Sequence, residues 1–557
     1  MRLPPLRPHA ATVLLAVPLA LAACAERPSP SAAAVRRNTM VIVTTGDADV
    51  LLPPVTSVTT GINVSDLIFC RLAELKLGLN TVDDSGYRPV LARSWDHPDS
   101  LTIVFHLDPR ARWQDGAPVT AADVAYTFRV YTDTAVNSPL APFLGQIASV
   151  TARDSLTAVF RFRRWYPDQL YDATYQMRIL PRHLLDTIPD ARLATSAFAR
   201  APVGGGDGPY RFVSWEPGAQ ITLAADTSWF LGRPGIARLI WRVTPELTTA
   251  VSQLLAGEAD AMELIPSRAQ LERAQASTRV RLVPYPSPFY AAVVFNLRRP
   301  LFQSRDLRRA LAMAVDRTVV VRSVFGPWAD VAVGATSPMQ WIWSDSLRQL
   351  PYDPAAAGRA LDALGWRRAA PGGTRRKNGT PLAFTLLVPT SSPPRQQAAV
   401  IMQAELRRIG VAMRIEPLEF TVMDGRSQAG DFDAVFVSRT IDPSPSSLLQ
   451  FWSAGAASNV GGYDDPAFQA LTAAAARART RAAAAPLWRQ ALERLNTDAA
   501  AIFLFSPRNE AAIAGRFRDV TIRPDSWIAT LPSWRVAPPG GSPGALATGG
   551  ARAAAGR

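Results

Sequence analysis

Trp113-Gln114-Asp115-Gly116-Ala117-Pro118-Val119-Thr120-Ala121-Ala122-Asp123-Val124 holds a turn, a cap and the start of a helix in one short run. Asp115-Gly116 supplies a tight turn. Thr120 is a capping residue, with Asp123 at the reciprocal position of a capping box. Val124 and Phe128 then share one helical face. Just upstream, Leu101, Ile103, Phe105 and Leu107 alternate with more polar neighbours, which is strand period. The same vocabulary continues downstream. Leu307, Ala310, Leu311, Ala314, Val315 and Val319 form one 3.6-period stripe. Asp353-Pro354 opens a helix with a cap and an N1 proline, and Gly365 closes it. Gln396 to Ile409 reads as a helix, Gly410 ends it, and Val411, Met413 and Ile415 alternate as a strand. Residues 465–497 read as two Ala/Arg-rich helices. Strands and helices that alternate in this way predict an α/β architecture.

Composition narrows the function. The 557 residues suit about three to four domain-sized units. Apolar residues at 48% and charged residues at 19% exclude disorder as the dominant state. Only one long apolar stretch occurs, at the extreme N-terminus, which excludes a helical membrane bundle. Two cysteines exclude a disulfide scaffold and any Cys-rich metal site. His97, His106 and His183 share no metal-binding spacing, so no metal and no cofactor is expected. The net charge is +14, and 58 basic residues are arginine, since Lys76 and Lys377 are the only lysines. These arginines are scattered, with no basic run longer than three, so the balance reads as a coding bias and not as nucleic-acid binding.

The N-terminus reads as an address and an anchor. Arg2 and Arg7 precede an apolar segment, Ala10 to Ala23, too short to span as a helix. Leu21-Ala22-Ala23-Cys24 resembles a bacterial lipobox. Residues 1–23 are thus expected to be a lipoprotein signal peptide and Cys24 the lipid attachment point, with residues 24–38 a flexible tether. Residues 538–557 read as a disordered tail. Cys70, within Leu67-Ile68-Phe69-Cys70, reads as a buried small hydrophobe.

Catalytic signatures are missing. The chain has no G-x-S-x-G elbow, no H-E-x-x-H, no phosphate-binding lysine loop and no S-x-x-K. Gly204-Gly205-Gly206-Asp207-Gly208 lacks both the lysine and the dinucleotide spacing, and reads as a loop that feeds a strand. The positive signal is aromatic. Trp328, Trp341, Trp343 and Trp452 fall in loop-like contexts, and Tyr285, Phe289 and Tyr290 cluster beside Pro284, Pro286 and Pro288. Flat aromatic walls with a few polar anchors suit extended small ligands.

Several blocks together carry a family likeness. Leu91-Ala92-Arg93-Ser94-Trp95, the strand around Phe105 and the 113–124 run resemble extracytoplasmic solute-binding proteins of family 5, the peptide- and nickel-type binding components of ABC importers. Gly208-Pro209-Tyr210-Arg211-Phe212 with Ser214-Trp215 is similar to a second block. Phe295-Asn296-Leu297, Pro300-Leu301-Phe302 and Arg308-Arg309-Ala310-Leu311 with Ala314-Val315-Asp316-Arg317 are similar to a third. Tyr352-Asp353-Pro354 with Gly365-Trp366, and Asn459 with Gly462-Tyr463 and Asp465-Pro466, complete the series in family order over residues 40–537.

The resemblance implies a two-lobed periplasmic-binding-protein type II (Venus-flytrap) fold. Lobe I would take residues 39–290 and 499–537, with an inserted subdomain near 63–195, and lobe II residues 291–498. The chain would cross between lobes near Tyr285–Asn296 and Asp498–Phe505, making a hinge. It implies a monomer that binds and does not catalyse, held by lipid on the extracytoplasmic face of a bacterial membrane. Its partners would be a peptide or similar extended solute and the permease of an ABC importer. A co-receptor or chaperone role, another cargo (oligosaccharide, opine or metal chelate) and a secreted hydrolase are the rival readings. In peptide binders of the family an acid late in lobe II pairs with the ligand amine. Here Asp442 takes that place, or Arg439 occupies the slot and favours a carboxylate. Asn459, Tyr463, Trp341, Trp343 and Tyr290 are the candidate wall and hydrogen-bonding residues.

Overall fold

The computed structural model describes residues 37–537. The expected signal peptide, Cys24, most of the tether and the C-terminal tail lie outside the described residues.

One mixed sheet of twelve strands runs through two lobes. The 14-residue strand Ala501–Ala514 is common to both. Its first part pairs antiparallel with Phe289–Phe295, from Ala291↔Phe505 to Val294↔Ala501. Its second part pairs with Val280–Pro286, from Val280↔Ala514 to Pro286↔Arg508. Ser287 and Pro288 connect those two partners. On one side the sheet continues through Ala434–Thr440, Ala383–Pro389 and Ala412–Leu418. On the other it continues through Ala261–Met262, Thr39–Thr44, Arg238–Val243, Gln220–Ala225 and Tyr210–Glu216. A separate antiparallel sheet holds Ala92–Asp99, Thr102–Leu107, Thr157–Phe162 and Ile147–Asp154, in that order.

Local chemistry explains most boundaries. Helix Ala121–Thr132 starts after Thr120, whose N–H donates to Asp123 Oδ2 at 2.8 Å. Leu101 stays outside the neighbouring strand and is exposed. The apolar stripe from Leu307 to Val319 is not one helix. It splits into Arg305–Met313 and Arg317–Phe325. Asp316 accepts from Val319 N–H at 3.1 Å and caps the second helix, which resets its phase. Val320 is therefore buried and Val319 exposed, against the single-stripe expectation. The helix expected from Gln396 starts earlier, at Pro393, with proline in its first turn. Gly410 follows it at φ +82°, a conformation that suits glycine, and strand Ala412–Leu418 begins two residues later.

In the second lobe Phe295 stacks on Phe302 at 4.8 Å, and Phe384 meets Phe302 edge-on at 5.4 Å. All three are buried. Burying each side chain is worth about 2 kcal/mol. In the first lobe a buried ionic chain ties the N-terminal part to the returning C-terminal part. Glu74 accepts from Arg71 at 2.6 Å and from Arg523 at 2.7 Å, and Arg523 also holds Asp525 at 2.7 Å. The two arginines overcome the burial of Glu74 and hold its carboxyl far below the usual range.

The glycine-rich loop serves close approach. A Cβ on Gly208 would lie 2.5 Å from the Leu67 carbonyl oxygen, and Gly208 N–H donates to Ile68 O at 2.8 Å. Asp207 turns inward and accepts from Cys70 N–H at 2.7 Å. Cys70 is buried there, and burial pushes its thiol well up.

Candidate functional site

The last residues of strand Ala434–Thr440 and the loop behind them face a cavity of about 340 Å³. Arg439, Asp442, Ser447, Gln450 and Phe451 line it, and Phe143 comes in from the four-stranded part of the first lobe. That volume is at the lower end of small-molecule sites. Gln340 shapes the loop, its Nε2 donating to Asp442 O at 2.9 Å and to Ser444 O at 3.1 Å. A second cavity, of about 380 Å³, lies away from this point beside strands Ala383–Pro389 and Ala412–Leu418 and is lined by one lobe alone.

Two opposite charges stand in the first cavity. Arg439 lays its guanidinium over the Phe451 ring at 4.8 Å and donates to Ser458 O at 3.4 Å. Burial lowers its pKa. Asp442 receives no hydrogen bond on its carboxylate from any described residue. Burial, and next the charge of Asp168, raise its pKa to about 6. Neither residue forms a salt bridge among the described residues. The alternatives left open by the sequence therefore meet in one place: both Asp442 and Arg439 line the cavity.

The other candidates are arranged differently. Tyr290 is the strand partner of Arg439, but its hydroxyl accepts from Trp452 Nε1 at 3.0 Å and its ring packs edge-on against Phe503. Burial pushes its hydroxyl up to about 12. Asn459 is buried, donating to Ser453 O at 2.9 Å and Tyr463 O at 2.8 Å and accepting from Tyr463 N–H at 3.0 Å. Tyr463 donates to Asp498 Oδ2 at 2.9 Å. These three spend their polar atoms inside the protein. Trp341 is buried where the lobes touch: its Nε1 donates to Thr81 Oγ1 at 3.4 Å, and Arg481 lies over its ring. Trp343 is half-buried next to it and lines neither cavity.

Sequence reasoning passed over the residues that join the lobes. Ser444 Oγ donates to Asp168 Oδ2 at 2.5 Å, and Arg479 lies over the Trp165 ring at 5.0 Å. One signal was available. Asp168 and Asp172 sit at i and i+4 around helix Gln169–Tyr175, a like-charge spacing that disfavours an isolated helix and so asks for a reason.

The comparison that decides the family is with the model for bacterial extracellular solute-binding proteins, family 5, which matches residues 86–459. The chain belongs to this family. Among relatives, this family 5 protein is 24% identical over 433 residues to the oligopeptide-binding protein AppA of Bacillus subtilis, covering 76% of this chain and 79% of AppA. The solved structure of that AppA in complex with a nonapeptide superposes with a TM-score of 0.70 at 22% identity, over 90% of this chain and 99% of the other. HbpA2 from Haemophilus parasuis gives a TM-score of 0.78 at 21% identity, over 89% and 99%. The two-lobed fold is that of these solute-binding proteins.

Proposed function

We propose that this family 5 protein is the capturing component of an ABC importer, closing its lobes on a compact peptide-like zwitterion. Asp442 takes the ligand's ammonium group and Arg439 its carboxylate. The observation that carries the reading is that two opposite charges, neither in a salt bridge among the described residues, line one cavity between the lobes. A half-buried charge with no counter-charge is costly, so each favours a ligand group of the other sign. The names of the relatives, oligopeptide-binding among them, support the same class of cargo. Binding suffices for the role, and no turnover is assigned. The chain acts outside the cytoplasm, monomeric and held by lipid at Cys24. Lobe I comprises residues 39–290 and 499–537 and lobe II residues 291–498. The pairing of two strands along opposite ends of Ala501–Ala514 supports that division.

The test is thermal unfolding with alanyl-alanine, its N-acetyl form and its C-terminal amide. A ligand at one hundred times its Kd stabilises by about 2.7 kcal/mol. Free alanyl-alanine shifts the midpoint and both capped forms shift it less. Equal shifts by all three would remove the recognition of both ends.

A further inference from the structure

Three carboxylates lie near where the lobes touch, and among the described residues no arginine forms a salt bridge with them. Asp168 and Asp172 come from the first lobe and Asp442 from the second. Each influences another electrostatically: Asp168 acts on Asp442, and both act on Asp172. Asp168 Oδ2 accepts from Ser444, and Asp172 Oδ2 accepts from Tyr166 OH at 2.5 Å. None of the three is in a salt bridge among the described residues. Several other acids of this arginine-rich chain do hold arginine, although buried Asp207 and Glu510 are in no salt bridge among the described residues. Asp66 holds Arg71 and Arg178, Glu74 holds Arg71 and Arg523, and Asp525 holds Arg523.

Two buried polar atoms at the same place have no partner. One is Asp168 Oδ1 and the other is the hydroxyl of Tyr171. Tyr171 is 3% exposed, and its strongest charged neighbour is Asp442. Its ring stacks on Tyr175 at 4.7 Å. Burial raises the carboxyl of Asp168, and that of Asp172 well up, as an uncompensated acid requires. A metal ion is not the missing charge, since no three acidic, histidine or cysteine side chains among the described residues come close enough to hold one. An organic cation needs no such coordination shell, and the stacked rings of Tyr171 and Tyr175 offer it aromatic faces.

We infer that Asp168, Asp172 and the Tyr171 hydroxyl form a second cation subsite, which receives the ammonium or guanidinium of a basic side chain on the ligand. The inference rests on the reading that a peptide-like ligand sits between the lobes with its α-amine on Asp442. It makes the preferred cargo a basic dipeptide or amino acid. Because Asp168 is bonded to Ser444 of the opposite lobe, the side-chain cation would arrive at the seam that closure forms.

The test is calorimetric titration of the full chain with lysyl-alanine, norleucyl-alanine and cadaverine. Norleucine matches the length of lysine without its charge. The wild-type protein binds lysyl-alanine at least tenfold more tightly than norleucyl-alanine, and Asp172→Asn brings that ratio toward one. Equal affinities in the wild type overturn the subsite while leaving the peptide reading intact. Binding of cadaverine with neither dipeptide bound overturns the peptide reading and, with it, the assignment of the subsite to a ligand side chain. Silence with all three overturns both. A ratio that survives in both Asp172→Asn and Asp168→Asn also overturns the assignment. Should either variant fail to fold, the wild-type ratio decides.

Discussion

Ser444 Oγ and Asp168 Oδ2, 276 positions apart, are 2.5 Å from each other and join the two lobes. A hydrogen bond to a charged or strongly polar acceptor is worth about 1–2 kcal/mol. Ser444→Ala is expected to loosen the closed arrangement without disturbing either core. Small-angle scattering of the ligand-free variant should give a larger radius of gyration than the wild type. An unchanged radius would mean that the remaining contacts, Trp341 with Thr81 and Arg479 with Trp165, hold the lobes by themselves.

On the proposed reading, Asp442 makes ligand capture depend on pH. Its carboxyl is raised to about 6, first by burial and then by Asp168. The acids near it are Asp168 and Asp172, and the cation that shares its cavity is Arg439. A cation binds the carboxylate form, so affinity for an amine falls as pH drops through about 6. The sign for the empty protein is opposite. A raised carboxyl favours the folded chain below its unfolded pKa, and that contribution is lost as pH rises through about 6. Titrating alanyl-alanine between pH 5 and 7.5 should show this loss on the acid side. Asp442→Asn should bind at least tenfold more weakly at pH 7.5 and flatten the profile.

Glu74 is a different kind of acid. It lies between Arg71 and Arg523, which hold its pKa far down. Glu74→Gln leaves both guanidinium groups short of a charge and should cost about 3 kcal/mol of stability, as broken buried pairs do. A depressed carboxyl contributes stability above its unfolded pKa and loses it as pH falls. The wild type should therefore lose its advantage over the variant in acid, read as converging denaturant midpoints. A gap independent of pH would refute the ionic account.

Asn459 separates a holding role from a binding one. Its side chain makes three hydrogen bonds within the segment from Ser453 to Tyr463. Asn459→Ala should lower the unfolding midpoint by an amount equivalent to about 1–3 kcal/mol. Ligand affinity should change less than it does in Asp442→Asn. A stable variant with lost affinity would return Asn459 to the ligand.

The sequence was legible where chemistry is local. Thr120 and Asp123 announce their helix because the capping partners are three residues apart. The Leu307–Val319 stripe misled because periodicity alone does not register that Asp316 can end one helix and cap the next. Arg439 and Asp442 could be singled out by type and likeness, but whether one or both lined the cavity depended on how strand Ala434–Thr440 ends. Asp168, Tyr171 and Ser444 were not legible as a group. Their association is made by two lobes meeting, and no spacing along the chain encodes it.

The shared strand Ala501–Ala514 also orders events during synthesis. Both Phe289–Phe295 and Val280–Pro286 need it as a neighbour, so neither half of the sheet is complete until the chain has been made almost to its end. Edge groups of both halves stay unpaired in the growing polypeptide, and the last strand of the large sheet to emerge closes two cores at once. A chain built in this way finishes folding late, and remains threadable through a membrane pore for as long as that strand has not docked.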